Sequence, residues 1–136
     1  MSIYLTESEK EDYYHSLCIE TEEDKIDFDI IDYLFLVNNI PGVCTTHSCS
    51  SHSDKDLPYL TFRFAFSFET VWSYTLSLSK KYDVNLKVLG ENKPMFCFMI
   101  RDKESWQEFL QDLMDVLEIM SKDKFKGYGK AIDEDN

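Results

Sequence analysis

The chain of 136 residues carries 26 acidic side chains against 14 lysines and arginines, which gives a formal net charge of -12. This length predicts a single domain over residues 1–136, with a core that needs no disulfide or metal to fold. The negative charge argues against binding to nucleic-acid phosphates, and no apolar run is long enough to cross a membrane.

Helices are predicted on both sides of the first pair of strands. Thr6 and Glu9 have the spacing of a capping box, which predicts a short helix in the acidic N-terminal segment, residues 1–23. Apolar residues at helical spacing predict a second helix from Ile26 to near Asn39. Later helices are predicted from about Val71 to Tyr82 and from about Lys103 to Lys122, before a mobile polar tail at residues 127–136.

Four segments have the composition of strands. They are Val43–Cys49, Tyr59–Phe66, Val84–Leu89 and Met95–Arg101. The first two should pair antiparallel through the connection at residues 50–56, and the last two through a turn at residues 90–94. This order predicts an α+β fold with two layers: a largely antiparallel four-stranded sheet and three to four helices packed on one face.

One stretch is dense in groups that bind ligands. It contains short hydroxyls, imidazoles and thiols at Thr45, Thr46, His47, Ser48, Cys49, Ser50 and His52. Such groups at the end of a strand can hold an anionic ligand between hydroxyls and backbone N–H groups. We therefore predict a ligand-binding site from Thr45 to His52, with Arg63 on the neighbouring strand as the nearest cation.

The same stretch also contains groups suited to zinc binding and to catalysis. Cysteine and histidine are zinc ligands, but strict strand alternation places Cys44 on the face opposite His47 and Cys49, so no metal site is predicted. Cys49 beside His47 or His52 would give a thiolate nucleophile if the imidazole lowered its pKa. Cys49 and His52 are therefore the candidate catalytic residues if the chain is an enzyme.

Residues 37–52 resemble a known family. Thr45-Thr46-His47-Ser48-Cys49-Ser50 is similar to the T-T-x-S-C-S signature of the wybutosine-synthesis imidazopurine methyltransferase family, with Ser51 and His52 where that family has Gly and Arg. The stretch is also similar to Ser-Cys-x-x-His strings in short uncharacterised phage and bacterial proteins. The resemblance implies binding of S-adenosylmethionine or a nucleotide-like molecule, and extends at most to a methyltransferase-like enzyme.

Two classes of function follow. The first is a small phage- or bacterium-type protein that binds a nucleotide-like or S-adenosylmethionine-like molecule at the Thr45–His52 loop, as a sequestering protein rather than an enzyme. The second is an acidic inhibitor, such as an anti-defence protein, whose carboxylates bind a basic site on a host protein. Either class is compatible with a homo-oligomer.

The cysteines favour a reducing compartment. Cys18, Cys44, Cys49 and Cys97 lack the spacing of a secreted disulfide framework. The start of the chain also lacks the basic and apolar regions of a signal peptide. We expect four free thiols and a cytoplasmic location.

Overall fold

The computed structural model describes residues 5–49, 57–89 and 95–128. The helices are α1 (Glu7–Glu22), α2 (Ile31–Val37), α3 (Phe68–Tyr82) and α4 (Trp106–Lys124), and the strands are β1 (Val43–Cys49), β2 (Tyr59–Phe64), β3 (Val84–Leu89) and β4 (Met95–Ile100). Short 3-10 turns precede α2 and α4, at Phe28–Ile30 and Lys103–Ser105. The predicted α+β fold is confirmed. The predicted connection, turn and most of the tail (residues 50–56, 90–94 and 129–136) lie outside the described residues.

The four strands form one antiparallel sheet in the order β1-β2-β4-β3. Val43 of β1 lies opposite Phe64 of β2, and Phe96 of β4 lies between Phe62 of β2 and Val88 of β3. The strands therefore pair as predicted, β1 with β2 and β3 with β4. After β2, helix α3 carries the chain to β3 at the far edge of the sheet. Strand β4 then returns and lies between β2 and β3.

One face of the sheet holds the aromatic core. Phe62 and Phe98 meet edge to face with ring centroids 5.7 Å apart, and Phe98 in turn contacts Phe109 of α4. The apolar stripe of α4 is buried as its spacing predicts, at Trp106, Phe109, Leu110, Leu113, Leu117 and Met120. This layer of helices on a sheet is the two-layer arrangement expected from the strand and helix order.

Helix α1 is attached differently. Its N-terminus forms the predicted capping box, in which the Glu9 N–H donates to Thr6 Oγ1 and the Thr6 N–H donates to Glu9 Oε1, both at 3.1 Å. Leu17 is its one buried side chain. Glu9 also contacts Arg63, which strand alternation places on the sheet face opposite Phe62 and Phe64. Helix α1 therefore reaches the second face of the sheet through a charged contact.

The segment between α1 and β1 departs from a continuous helix. Asp27 has an extended backbone, so a single 3-10 turn starts at Phe28 and α2 spans seven residues. Gly42 then turns the chain into β1 with φ of +80°. A Cβ at this position would lie 2.9 Å from side-chain atoms of Phe66 and Phe125, so both the turn and the packing require glycine.

No helix in residues 5–49, 57–89 or 95–128 combines the length and apolar character needed to cross a membrane.

Candidate functional site

Strand β1 carries a bulge within the predicted ligand-binding stretch. Thr45 lies opposite Phe62 and His47 lies opposite Thr61, so Thr46 is an extra residue on β1. Two residues of a bulged strand share one partner, which interrupts the alternation of side chains. The expectation that Cys44 and His47 lie on opposite faces is therefore wrong, because both oppose residues of the face that contains Arg63.

The predicted residues of β1 divide into internal and accessible groups. Thr45 is buried, and its N–H and Oγ1 bond to the side-chain amide of Asn38 at 3.0 and 2.8 Å. Thr46 Oγ1 donates to the Thr61 carbonyl at 3.3 Å, and His47 is exposed with Nδ1 3.2 Å from Thr46 Oγ1. Thr45 and Thr46 thus fix the bulge, whereas the His47 imidazole remains accessible.

Residues 45–48 border a small cleft between α1, α2 and the sheet. The cleft has a volume of about 130 Å³, and its lining includes Tyr13, Glu20, Lys25, Tyr59 and the four residues Thr45, Thr46, His47 and Ser48. Pockets for drug-sized ligands have volumes of roughly 300–1,000 Å³. The described part of the cleft thus has room for a small group, such as one anionic substituent of a larger molecule.

The remaining residues of the predicted site lie at or beyond the end of β1. Cys49 ends the strand opposite Tyr59, and its side chain lies outside the description. Ser50 and His52 also lie outside the described residues. The pairing of the Cys49 thiol with an imidazole therefore stays a prediction.

Arg63 forms an internal ion pair with Glu9. Its side chain is 2% exposed, and its Nη1 lies 2.5 Å from Glu9 Oε2. The guanidinium also lies over the Tyr13 ring at 6.0 Å. Burial by itself lowers the pKa of Arg63, but hydrogen bonds to Glu9 and Tyr13 outweigh burial and raise it. Arg63 Nε is buried without a hydrogen-bond partner among the described residues.

Lys10 of α1 is a second cation whose side chain points inward. Its ammonium group donates to the carbonyls of Asn38 (2.8 Å), Ile40 (2.8 Å) and Val43 (2.5 Å). These carbonyls lie at the end of α2 and the start of β1, where backbone acceptors need donors. Burial lowers the pKa of Lys10, and burial raises the pKa of the neighbouring Cys44 thiol to about 11. Lys10 therefore joins three segments and presents little charge outward.

A larger groove lies on the outer side of Lys10. It has a volume of about 370 Å³ and is lined by Glu7, Lys10, Glu11, Tyr14, His15, Asn38, Asn39 and Tyr128. Glu7, Glu11 and His15 are four residues apart along α1, which places them on one helix face. Sequence reasoning missed this groove because Tyr128 comes from the far end of the chain, although the spacing of the acidic residues was visible.

Among the described residues, no group of three or more histidine, cysteine or acidic side chains is arranged to hold a metal ion. The thiols of Cys18, Cys44 and Cys97 are free.

Comparison with known proteins shows the fold alone. No protein-family model matches the chain, and no curated protein matches it. The chain is similar to the solved structure of the PH1069 protein from Pyrococcus horikoshii, with a TM-score of 0.53 and 18% sequence identity. The match covers 85% of this chain and 92% of that one. At this identity the likeness extends to the arrangement of helices and strands.

Proposed function

We propose that this protein binds a basic surface of another protein through the acidic groove between α1 and the end of α2. This is the inhibitor class of the two predicted functions. The observation that carries the proposal is the lining of the groove, which combines carboxylates with tyrosine rings. Carboxylates and aromatic faces are the groups that bind lysine and arginine side chains most favourably.

The charge distribution supports this choice of surface. Residues 1–39 contain eleven aspartates and glutamates and two lysines, so this part of the chain carries -9 of the net charge of -12. Glu7, Glu11, Asp12, Glu22 and Glu23 are exposed on or directly after α1. A surface of one sign accelerates encounter with a partner of the opposite sign.

The two lysines of this region do little to offset its negative charge. Lys10 is held by three backbone carbonyls, as described above. Lys25 lies 3.4 Å from the carboxylate of Glu23, and both side chains are more than half exposed. Among the described residues that line the groove, Lys10 is the one lysine or arginine, and its ammonium group is held by backbone carbonyls while the carboxylates of Glu7 and Glu11 are exposed.

The groove also has the size and surroundings of a protein-binding surface. Its volume of about 370 Å³ is enough for one or two long side chains. Tyr14 in its lining is 38% exposed, and Ile19, one helical turn after His15 on α1, is 56% exposed. Aromatic side chains surrounded by polar groups are typical of the residues that dominate binding energy at interfaces.

A charge-reversal experiment tests the proposal with an arginine-rich peptide as the probe. We expect wild-type protein to bind the peptide with an affinity that falls steeply with salt, and Glu7→Lys/Glu11→Lys to bind at least about tenfold more weakly. The matched control is Glu104→Lys/Glu108→Lys, which changes the net charge equally in the 3-10 turn before α4 and in its first turn, where both side chains are exposed. Equal losses in the two variants would mean that the peptide senses net charge alone, and would contradict the proposal.

A small-molecule function is the second candidate, supported by the cleft at the β1 bulge. Ser48, the His47 ring and Lys25 line the cleft and offer a hydroxyl, an imidazole and an ammonium group to an anionic substituent. Thermal unfolding with S-adenosylmethionine or a nucleotide tests this candidate, because a ligand that binds the native state raises the melting temperature. We expect Ser48→Ala to remove that increase and leave the unliganded melting temperature unchanged. If neither S-adenosylmethionine nor a nucleotide raises the melting temperature, this candidate function is contradicted.

A further inference from the structure

Strand β3 lies at an edge of the sheet and has an unusual neighbour. Among the described residues it pairs on one side, with β4, so its other row of N–H and C=O groups faces outward. Helix α3 next to it exposes Phe68, Trp72 and Leu76 at 44%, 42% and 40%. Residues four apart lie on one face of a helix, so these side chains form a continuous apolar stripe.

The stripe lies on the β3 side of α3. On the other side of the helix, Tyr74 bonds to Asp123 at 3.0 Å and Lys81 bonds to Asp112 at 3.0 Å, and both partners belong to α4. Phe68 stacks on Phe96, the β4 residue directly opposite Val88 of β3. Val88 is itself 43% exposed. Phe68, Trp72, Leu76 and Val88 therefore form one surface beside the edge of β3 that no other described strand pairs with, termed here the α3–β3 edge surface.

We propose that the α3–β3 edge surface binds a second copy of this chain, joining two sheets through antiparallel β3 strands. A free strand edge is a template for another strand, and natural proteins commonly protect such edges with charge or proline. Strand β3 has one charged residue, Lys87, and no proline. A two-fold axis perpendicular to the sheet would bring both α3 stripes to the same side, where they would pack on each other.

Charge favours a second copy as the occupant. Two identical acidic molecules repel each other wherever their acidic surfaces meet. Residues 68–89, from α3 through β3, carry two acidic and three basic side chains, whereas the whole chain carries -12. The α3–β3 edge surface is therefore a nearly neutral part of a strongly acidic molecule, and local charge repulsion between two copies is weaker there than at the acidic surfaces.

The exposed apolar area of the α3–β3 edge surface is also large enough for the centre of a dimer interface. The four apolar side chains expose on the order of 400 Å² in each copy, similar to the largest apolar patch of a typical monomer and often a functional one. A standard interface buries about 800 Å² per partner, of which the apolar core is about half. The outward main chain of β3 and its polar side chains supply the rest.

Self-pairing also selects one register. In a continuous antiparallel sheet, directly opposed residues point to the same face, so a residue of β3 opposes one an even number of positions away. Pairing centred on Leu86 sets Val84 against Val88 and Asn85 against Lys87. Centring on Leu86 or Lys87 pairs five of the six residues of β3, more than any other centre does, but centring on Lys87 would oppose two like charges, which is unfavourable. We therefore infer that Leu86 lies opposite its own copy on the two-fold axis.

Light scattering and sedimentation of the full chain test the association. The expected mass is twice the 16.1 kDa of the chain. Trp72→Glu should weaken the dimer by about 100-fold or more, since it places a charge at the centre of an apolar contact. Ile119→Glu, on the exposed face of α4 at 56%, is the matched control and should remain a dimer. A monomeric wild type, or a dimer that survives Trp72→Glu, would overturn the proposal.

Cysteine cross-linking tests the register. Oxidised Leu86→Cys should give a covalent dimer beyond the level of oxidised wild type, because directly opposed Cβ atoms lie about 4.5–5.5 Å apart. Val84→Cys should not, since residue 84 opposes residue 88 in this register. Efficient cross-linking at 84 and none at 86 would refute pairing centred on Leu86.

Discussion

Helix α1 and helix α4 show two different ways of attaching a helix to the same sheet. Helix α4 buries six apolar side chains, among them Trp106 and Phe109, against the aromatic face. Helix α1 is nearly as long but buries Leu17 alone. Its attachment depends on Lys10, which bonds to three carbonyls, and on Glu9, which pairs with buried Arg63.

The two helices should differ in the substitutions that they tolerate. Apolar burial is non-directional and roughly proportional to area, so the α4 layer can adjust to small shifts. A buried ion pair needs both partners in place, and removing one leaves a charge without compensation. The α1 attachment should therefore respond to single polar substitutions and to pH, whereas the α4 layer should respond to loss of volume.

The largest expected effect is in the aromatic layer. Phe64 is buried and contacts Phe62 and Phe96 with ring centroids 5.4 and 5.3 Å apart. Phe64→Ala should lower the free energy of unfolding by about 3–5 kcal/mol, through lost burial and the cavity that remains. Phe28→Ala is the matched control: its ring is 92% exposed, so denaturant titration should find a change within about 0.5 kcal/mol. A near-neutral Phe64→Ala would contradict the assigned core.

A smaller effect is expected at the charged attachment of α1. Glu9→Gln keeps an oxygen for the capping box but removes the charge that faces Arg63. We expect a loss of about 2–4 kcal/mol, below the full cost of a deeply buried pair because Glu9 is 21% exposed.

Denaturant titration with a capping control checks this value. Thr6→Ala removes the capping hydroxyl and leaves the ion pair, so it should cost about 1 kcal/mol. Hydrogen exchange should then show α1 amides opening before those of α4 in Glu9→Gln. Equal costs for the two variants would mean that α1 depends on its cap rather than on the ion pair.

The smallest effect near neutral pH concerns Cys44 under α1. Burial raises the pKa of this thiol from 9.0 to about 11, so between these values the unfolded chain has lost a proton that the native state retains. The native state then binds more protons, and the free energy of unfolding falls as pH rises. This loss of stability is negligible below about pH 8 and reaches about 2–3 kcal/mol near pH 11.

Comparison with Cys44→Ala isolates this contribution, because other groups titrate in the same range. Urea titrations at several pH values above 9 should show a shallower loss of stability in the variant than in wild type. Parallel pH profiles would mean that the Cys44 thiol ionises as easily in the native state as in the unfolded chain.

Much of the local structure was determined by the sequence itself. The capping box at Thr6, the strand Val43–Cys49 and the apolar stripe of α4 depend on residues that are close along the chain. Their periodicity decides between helix and strand because a helix repeats every 3.6 residues and a strand every two. Turn residues such as Gly42 then mark where one element ends.

The candidate sites depended on contacts that no local pattern contains. Lys10 meets carbonyls 28 to 33 residues away, and Arg63 meets a carboxylate 54 residues away, so the inward direction of both cations was decided by the packing of α1. The bulge at Thr46 depends on how β1 aligns with β2, and the composition of β1 does not determine that alignment. The edge position of β3 follows from the insertion of β4 beside β2. Tertiary structure decides these features because each depends on which distant segments the folded chain brings together.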